Sequence, residues 1–244
     1  MEEPVIEKFT ICVLLYGNHF DLAQRCLNSL TVQGRIPAGH LRIGLNAVCE
    51  PTRKLAHNMA LGYVWDSSDN RHKYPMMRDM IHGIAPITTP YTMWFDDDSC
   101  LRAPQLLPWL TTVDQKMQNA DMLGSIYTIG WKGKQTDYIR AQPWYNGKDP
   151  ALRQHAVFAT GGWWTIRTEL LYKHNYPWPE LDHRGGDVML GELCFQQGYR
   201  VQPFRQDLWI NADANGNESK AQRRGFDQPP IGVEYDPGIA AALN

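Results

Sequence analysis

The run Phe9-Thr-Ile-Cys-Val-Leu-Leu-Tyr16 restricts the fold more than any other part of the chain, because it offers no polar face. A strand of this kind has to be covered on both sides, which is the situation of a parallel strand inside an α/β sheet. It ends at Gly17-Asn18, a turn signal, and Leu22, Cys26, Leu27 and Leu30 then fall along one helical face, with Asp21 placed to cap that helix. Residues 41–48 read as a second strand, and a helix is expected from about Pro51, with the proline in its first turn. Further along, residues 76–84 suit a short amphipathic helix, and Tyr91-Thr-Met-Trp-Phe95 suits a strand. Pro104 opens a helix continuing to about Met117. Residues 187–197 form a helix ended by Gly198, and residues 199–204 a late strand. Residues 130–154, polar and aromatic without a clear period, read as a long loop or lid. This alternation predicts an α/β fold with a mainly parallel sheet flanked by helices, in which ligands bind at the carboxyl ends of the strands.

A length of 244 residues suits a single domain over 1–244, with an irregular tail from about residue 211. The net charge of −2 provides no global attraction to nucleic acid or anionic membrane, so nucleic acid is not a favoured partner, although Arg223-Arg224 forms a local basic pair. Five scattered cysteines without CxxC spacing suggest neither a disulfide framework nor a zinc site. No apolar run reaches the roughly 20 residues that cross a bilayer. The start, Met1-Glu2-Glu3, lacks the basic region of a signal peptide, so a cytoplasmic location is expected. Nine tryptophans stand out, and they suit either core packing or stacking on sugar rings.

The sharpest chemical feature is Trp94-Phe95-Asp96-Asp97-Asp98-Ser99, an apolar strand that runs into three carboxylates. Such a cluster needs either full hydration or a bound cation, and hard oxygen ligands suit Mg²⁺ or Mn²⁺. The other reading is a solvated turn whose acids cap the following helix.

On these residues the chain resembles a family 2-type glycosyltransferase with the GT-A fold, over roughly residues 9–204. The resemblance implies that Asp96 and Asp98 form the metal-binding DxD motif, with Asp96 and Asp97 meeting a nucleotide-sugar donor, a UDP-sugar in the first instance. It further implies that Tyr16 and Asn18 cradle the base, that Asn46 touches base or ribose, and that Arg78, in Met77-Arg78-Asp79, reaches the diphosphate. Ala159-Thr160-Gly161-Gly162-Trp163-Trp164 resembles the family's Gly-Gly segment under donor sugar and acceptor, which implicates Gly161, Gly162, Trp163 and Trp164 in substrate binding. Finally, His183-Arg184-Gly185-Gly186-Asp187 resembles the family's Glu-Asp motif. Gly186 stands where the Glu usually is, and Asp187 remains as the general base of an inverting transfer.

A base to deprotonate the acceptor hydroxyl and a cation to neutralise the departing diphosphate are what such a displacement requires. As a first-turn acid Asp187 would have its pKa held down by the helix dipole, so burial or a nearby like charge is needed to make it a competent base. Many relatives supply a further metal ligand, often a His, from the C-terminal part. No His follows His183, which leaves Asn211, Asp213 or water. The acceptor is open between a glycan, a protein side chain, a lipid-linked sugar and a modified nucleobase. The alternative functions are a metal-dependent nucleotidyl or phosphoryl transferase and a non-catalytic carbohydrate-binding protein.

Overall fold

The computed structural model describes residues 4–31, 36–59, 62–83, 85–103, 105–131, 133–182 and 185–212. In chain order the elements are β1 (Phe9–Tyr16), α1 (Phe20–Thr31), β2 (Leu41–Asn46), α2 (Glu50–Met59), β3 (Tyr63–Ser67), α3 (Lys73–Arg78), β4 (Tyr91–Asp96), β5 (Cys100–Leu101), α4 (Leu106–Met117), β6 (Met122–Gly130), α5 (Gly133–Arg140), β7 (His155–Arg167), α6 (Thr168–Lys173), α7 (Gly186–Gln197), β8 (Val201–Pro203) and β9 (Leu208–Trp209).

Seven strands form one sheet in the order β3-β2-β1-β4-β7-β6-β8. β3, β2, β1 and β4 run parallel, β7 is antiparallel to both β4 and β6, and β8 is parallel to β6. This is the expected mixed α/β architecture of the GT-A type, a mostly parallel sheet between helical layers. After β1 the chain builds outward through β2 and β3, then returns to lay β4 on the other side of β1. The carboxyl ends of β1 and β4 therefore flank the switch point of the sheet, with Leu14 opposite Asp96.

Each face of the sheet carries its own apolar layer. One gathers Ile11, Val13 and Leu15 of β1 with α1 and α4, and the other gathers Cys12 and Leu14 with α3, α6 and α7. Phe95 and Trp163 enter the first layer, while Trp94 and Trp164 stack on each other in the second with ring centroids 6.0 Å apart. The two adjacent tryptophans of β7 thus serve as core on opposite sides.

Several boundaries differ from the sequence expectation. Asp21 lies inside the first turn of α1 and does not cap it. The second strand stops at Asn46, since Ala47 takes a left-handed φ of 53°. α3 starts at Lys73 and passes into a π-helical turn over Asp79–Gly83. Arg42 on β2 is buried beside that turn and donates to the carbonyls of Met80 (2.6 Å) and Ala85 (2.5 Å), so a core cation closes the helix end. Residue 104 lies outside the described residues, and the helix after it begins at Leu106 with Gln105 as N-cap. β3, β6 and β7 were not legible in the sequence.

Residues 130–154 are not one irregular lid. They contain α5 and a short 3-10 turn over Pro150–Leu152, and side-chain bonds tie them to α7. Gln196 accepts from the Asn146 and Lys148 backbone N–H groups and donates to the Lys148 carbonyl, while Arg153 pairs with the buried Glu192. Most of the irregular tail expected from residue 211 lies outside the described residues.

Trp164 is fully buried and shared between β7, β4 and the helical layer. Trp164→Ala is expected to cost about 3–5 kcal/mol, read as a lower urea midpoint at unchanged slope.

Candidate active site

At the carboxyl end of β4 the three aspartates point in different directions. Asp96 is partly open, and both of its oxygens accept from protein donors: Oδ2 from Lys73 Nζ at 2.8 Å and Oδ1 from the Trp94 indole N–H at 2.8 Å. Asp97 turns inward, 2 % exposed, and its Oδ2 accepts the backbone N–H of Tyr16 at 3.2 Å, bracing the ends of β1 and β4. Asp98 is buried with Ser99 Oγ 3.4 Å from Oδ1, and its carbonyl accepts from the Ala212 backbone N–H.

Opposite Asp96 stands Asp187, in the first turn of α7. The Lys73 ammonium is paired with Asp96 and approaches Asp187 beside Gly161. It donates to Asp96 and to the Gly161 carbonyl at 2.7 Å, and it is the strongest charge acting to lower the Asp187 pKa. Tyr74, next in sequence, completes the clamp: its hydroxyl donates to Asp187 Oδ1 at 2.8 Å and accepts from the Asp187 backbone N–H at 2.8 Å. The Gly161 N–H adds another bond to the same carboxylate.

These neighbours set the charge states. Burial pushes the Asp187 carboxyl above the ordinary carboxylate range, Asp96 adds to that push, and Lys73 and Tyr74 only partly offset it. For Lys73 burial works against the ammonium, but Asp96, Asp187 and Asp98 outweigh it, so its pKa is raised and the side chain stays charged. Burial lifts the Tyr74 phenol well above its usual value, with Asp187 adding to the effect, which keeps the hydroxyl a donor.

Two glycines make this packing sterically feasible. A Cβ at Gly161 would sit 2.2 Å from Lys73 Nζ and 2.5 Å from Asp187 Oδ2, so any side chain there would expel the ammonium. A Cβ at Gly186 would lie 2.3 Å from Tyr74 Cζ, and the Tyr74 ring thus fills the room that the missing Glu of the Glu-Asp pattern would need. The pairing of β7 with β6 breaks register between Gly124 and Ile126, opposite residues 160–163, a strand irregularity of the kind that re-aims groups beside functional sites.

Other expected site residues fall in three places. Tyr16 and Asn46 lie together at the ends of β1 and β2. There the Asn46 side chain donates to Asn70 Oδ1 (3.0 Å) and accepts from the Arg71 backbone N–H (2.8 Å), while Asn70 donates to the Tyr16 hydroxyl (3.4 Å). Asn46 is buried and both ends of its amide are used, so it holds the loop leading to Lys73. Asn18 is exposed on the turn after β1. Gly162 faces the other side of β7, towards Asn211 and Ser99.

Four expectations meet side chains that already have other partners or are enclosed. Arg78 does not reach the site: its guanidinium donates to the carbonyls of Asn175 (3.2 Å) and Pro177 (2.6 Å) and to the Asn175 side chain. Trp163 and Trp164 are each 0 % exposed, so neither offers a face to a sugar. Asp97 is spent on the Tyr16 backbone. A divalent ion between Asp96 and Asp98 would meet an Asp96 whose two oxygens each accept an N–H already, one of them from the Lys73 ammonium, whose charge would oppose the ion. Among the described residues no group of three or more His, Cys, Asp and Glu side chains is arranged to hold a metal. Asn211 donates to Ser99 Oγ through its backbone and to Thr160 Oγ1 through its side chain, and Asp213, His183 and Arg184 lie outside the described residues.

Lys73, Tyr74 and Asn70 were missed from sequence. The one available signal was Pro75, which marks a helix first turn and so places Lys73-Tyr74 at a helix start.

No family model matches the chain, and no curated protein does. Solved structures do. TarS 1–349 of S. aureus superposes with a TM-score of 0.51 at 12 % identity, covering 80 % of this chain and 58 % of that one. The same protein in complex with UDP-GlcNAc gives 0.51 at 13 % identity, over 81 % of this chain and 56 % of the other. The chain thus spans little more than half of the TarS chains it matches. A nucleoside-diphosphate-sugar pyrophosphorylase from Vibrio cholerae RC9 matches at a TM-score of 0.47 and 10 % identity, over 82 % and 94 % of the two chains. At these identities the likeness is one of fold.

Gly186→Ala is expected to displace the Tyr74 ring and destabilise the protein by about 1–3 kcal/mol. In a double-mutant cycle with Tyr74→Ala, measured by urea denaturation, much of that cost should vanish because the clash partner is gone.

Proposed function

We propose that the chain is a nucleotide-sugar-dependent glycosyltransferase in which Asp187 is the general base. The observation that carries this reading is that Asp187 approaches the Lys73–Asp96 pair beside Gly161, at the carboxyl ends of the switch-point strands. That is where an α/β sheet of this kind binds ligands. Asp187 combines the properties that the role requires: it is partly accessible, it is held in one orientation by Tyr74, and its raised pKa lies closer to working pH than that of a free aspartate.

In this mechanism the Asp187 carboxylate takes the proton of the acceptor hydroxyl. The hydroxyl oxygen forms its bond to the anomeric carbon as the bond from that carbon to the donor diphosphate breaks. The nucleoside diphosphate leaves with the bonding pair, and the anomeric configuration inverts. Tyr16 and the exposed turn at Asn18 lie on the β1 side of the same end, where a nucleotide base would sit. UDP is the first nucleotide to test, and the likeness to the fold of a protein crystallised with UDP-GlcNAc supports that choice. The acceptor is a hydroxyl-bearing glycan, protein, lipid-linked sugar or modified nucleobase. No helix among the described residues is long and apolar enough to cross a membrane. We read the whole chain as one domain acting in the cytoplasm.

The experiment is a thermal-shift screen of UDP, GDP, CDP and TDP and their sugars, followed by product analysis. Stabilisation by one nucleotide series, with release of the free nucleoside diphosphate, is the expected result. Release of pyrophosphate from a nucleoside triphosphate would instead mark a nucleotidyl transferase, and no stabilisation by any nucleotide would sink both readings.

Asp187→Asn should keep nucleotide binding and lower turnover by about 10²–10⁴-fold. In wild type, kcat/KM should fall on the acid side as Asp187 takes up a proton, with a midpoint above the ordinary aspartate value because burial raises that pKa. An acid limb at the ordinary value, or one unchanged in Asp187→Asn, would count against Asp187 as the base.

A further inference from the structure

An acidic pair at the open end of a sheet needs positive charge, and in this chain the positive charge is covalently part of the protein. Lys73 reaches the site from the first residue of α3, and its side chain is 12 % exposed beside an Asp96 that is 23 % exposed. Three features show that the ammonium is built in. Its donors are directed at Asp96 Oδ2 and the Gly161 carbonyl, with the Trp94 ring centroid 5.9 Å away. The missing side chain at Gly161 leaves the space it occupies. The second Asp96 oxygen accepts from the Trp94 indole, so each oxygen of this carboxylate already has one N–H donor.

We infer that Lys73 is the resident cation of this site, paired with Asp96, lying close to Asp187 beside Gly161, and occupying the place on Asp96 for which a divalent ion would compete. Its catalytic consequence rests on the function proposed above; its occupancy of the cation position stands on the geometry alone. A divalent ion on Asp96 would either displace the ammonium from Asp96 and Gly161 or sit beside its charge. Lys73 therefore acts as a positioning residue for Asp187, through the shared ammonium, and as a determinant of cation selectivity.

The test is a titration with Mn²⁺ alone, followed by loss of the free-ion electron paramagnetic resonance signal, on wild type, Lys73→Met, Lys73→Arg and Lys73→Met/Asp96→Asn. Wild type and Lys73→Arg should show no Asp96-dependent site. Lys73→Met should gain one that binds Mn²⁺ at least about tenfold more tightly than wild type and is lost in the double variant. A purely structural lysine would lower stability without creating such a site. If Lys73→Met does not fold, Lys73→Gln, which keeps a donor for Gly161, takes its place. Wild-type Mn²⁺ binding that disappears in Asp96→Asn would overturn the inference, as would a folded Lys73→Met that gains nothing. Because no nucleotide is present, this result is independent of whether the chain uses one. In a parallel arm, UDP should stabilise wild type equally in EDTA and in Mn²⁺, and failure of UDP in both would count against the proposed function and not against Lys73.

Discussion

The arrangement of the site depends on the ammonium of Lys73. Asp96 terminates a strand that is otherwise apolar, and Asp187 opens a helix packed against the same sheet, so folding brings two carboxylates to one place. Like charges in a desolvated pocket would drive one of them to protonate. A cation beside them changes that balance, and it also attaches three separate parts of the fold to each other: the start of α3, the end of β4 and the irregular stretch of β7. Tyr74 then converts electrostatic attraction into fixed geometry, since a hydroxyl that both accepts from the Asp187 backbone and donates to its side chain leaves the carboxylate little freedom to turn. The charge state and the orientation of Asp187 are thus set by adjacent residues of a single helix.

The packing beneath the site explains why the chain tolerates this. Trp94 belongs to the stacked pair in the second core layer and yet donates its indole N–H to Asp96. One side chain therefore anchors the strand and orients the carboxylate. At the opposite end of α7, Glu192 and Gln196 bind the chain between residues 146 and 153. The helix that carries Asp187 is consequently held at both ends, by Tyr74 near its first turn and by this polar clamp near its last. Rigid support of this kind favours a catalytic group over a merely solvated helix-cap acid.

The fold was largely legible because its strongest signals are local. The unbroken apolar character of β1 requires cover on both faces, and the end of β4 in aspartates marks the ligand end of the sheet. β3 was missed because it is a half-exposed edge strand without an apolar run, and β6 because its second half emerges from the core. The candidate site was only partly legible. Asp96 and Asp187 do come together, but their partner is a lysine more than 20 residues before one and more than 110 before the other, a relation that no spacing reveals. Aromatic and basic residues misled for a common reason: Trp163, Trp164 and Arg78 have the chemistry of sugar and phosphate binders, but that chemistry serves equally to fill a core or tie down a loop. Gly186 misled in the opposite sense, since its departure from the expected acidic pair reads as a loss until the Tyr74 ring is seen to fill the space.

That exchange also separates what the fold contributes from what the residues contribute. The sheet order brings β1 and β4 to an end side by side, and the start of α7 brings Asp187 to the same place. The sheet order does not dictate which charges meet there. In this chain the acidic end of β4 is divided among three tasks: Asp97 braces the backbone of β1, Asp98 is enclosed beside Ser99, and Asp96 is bound to Lys73. A run of three aspartates that reads in sequence as one metal ligand set is, in space, three carboxylates with different partners. Each has its own hydrogen-bond partner, so adjacency along the chain is a poor guide to convergence on a common ion. The charge arrangement at this end of the sheet is accordingly a property of Lys73, Tyr74, Asp96 and Asp187 together, and the aspartates of β4 alone would not produce it.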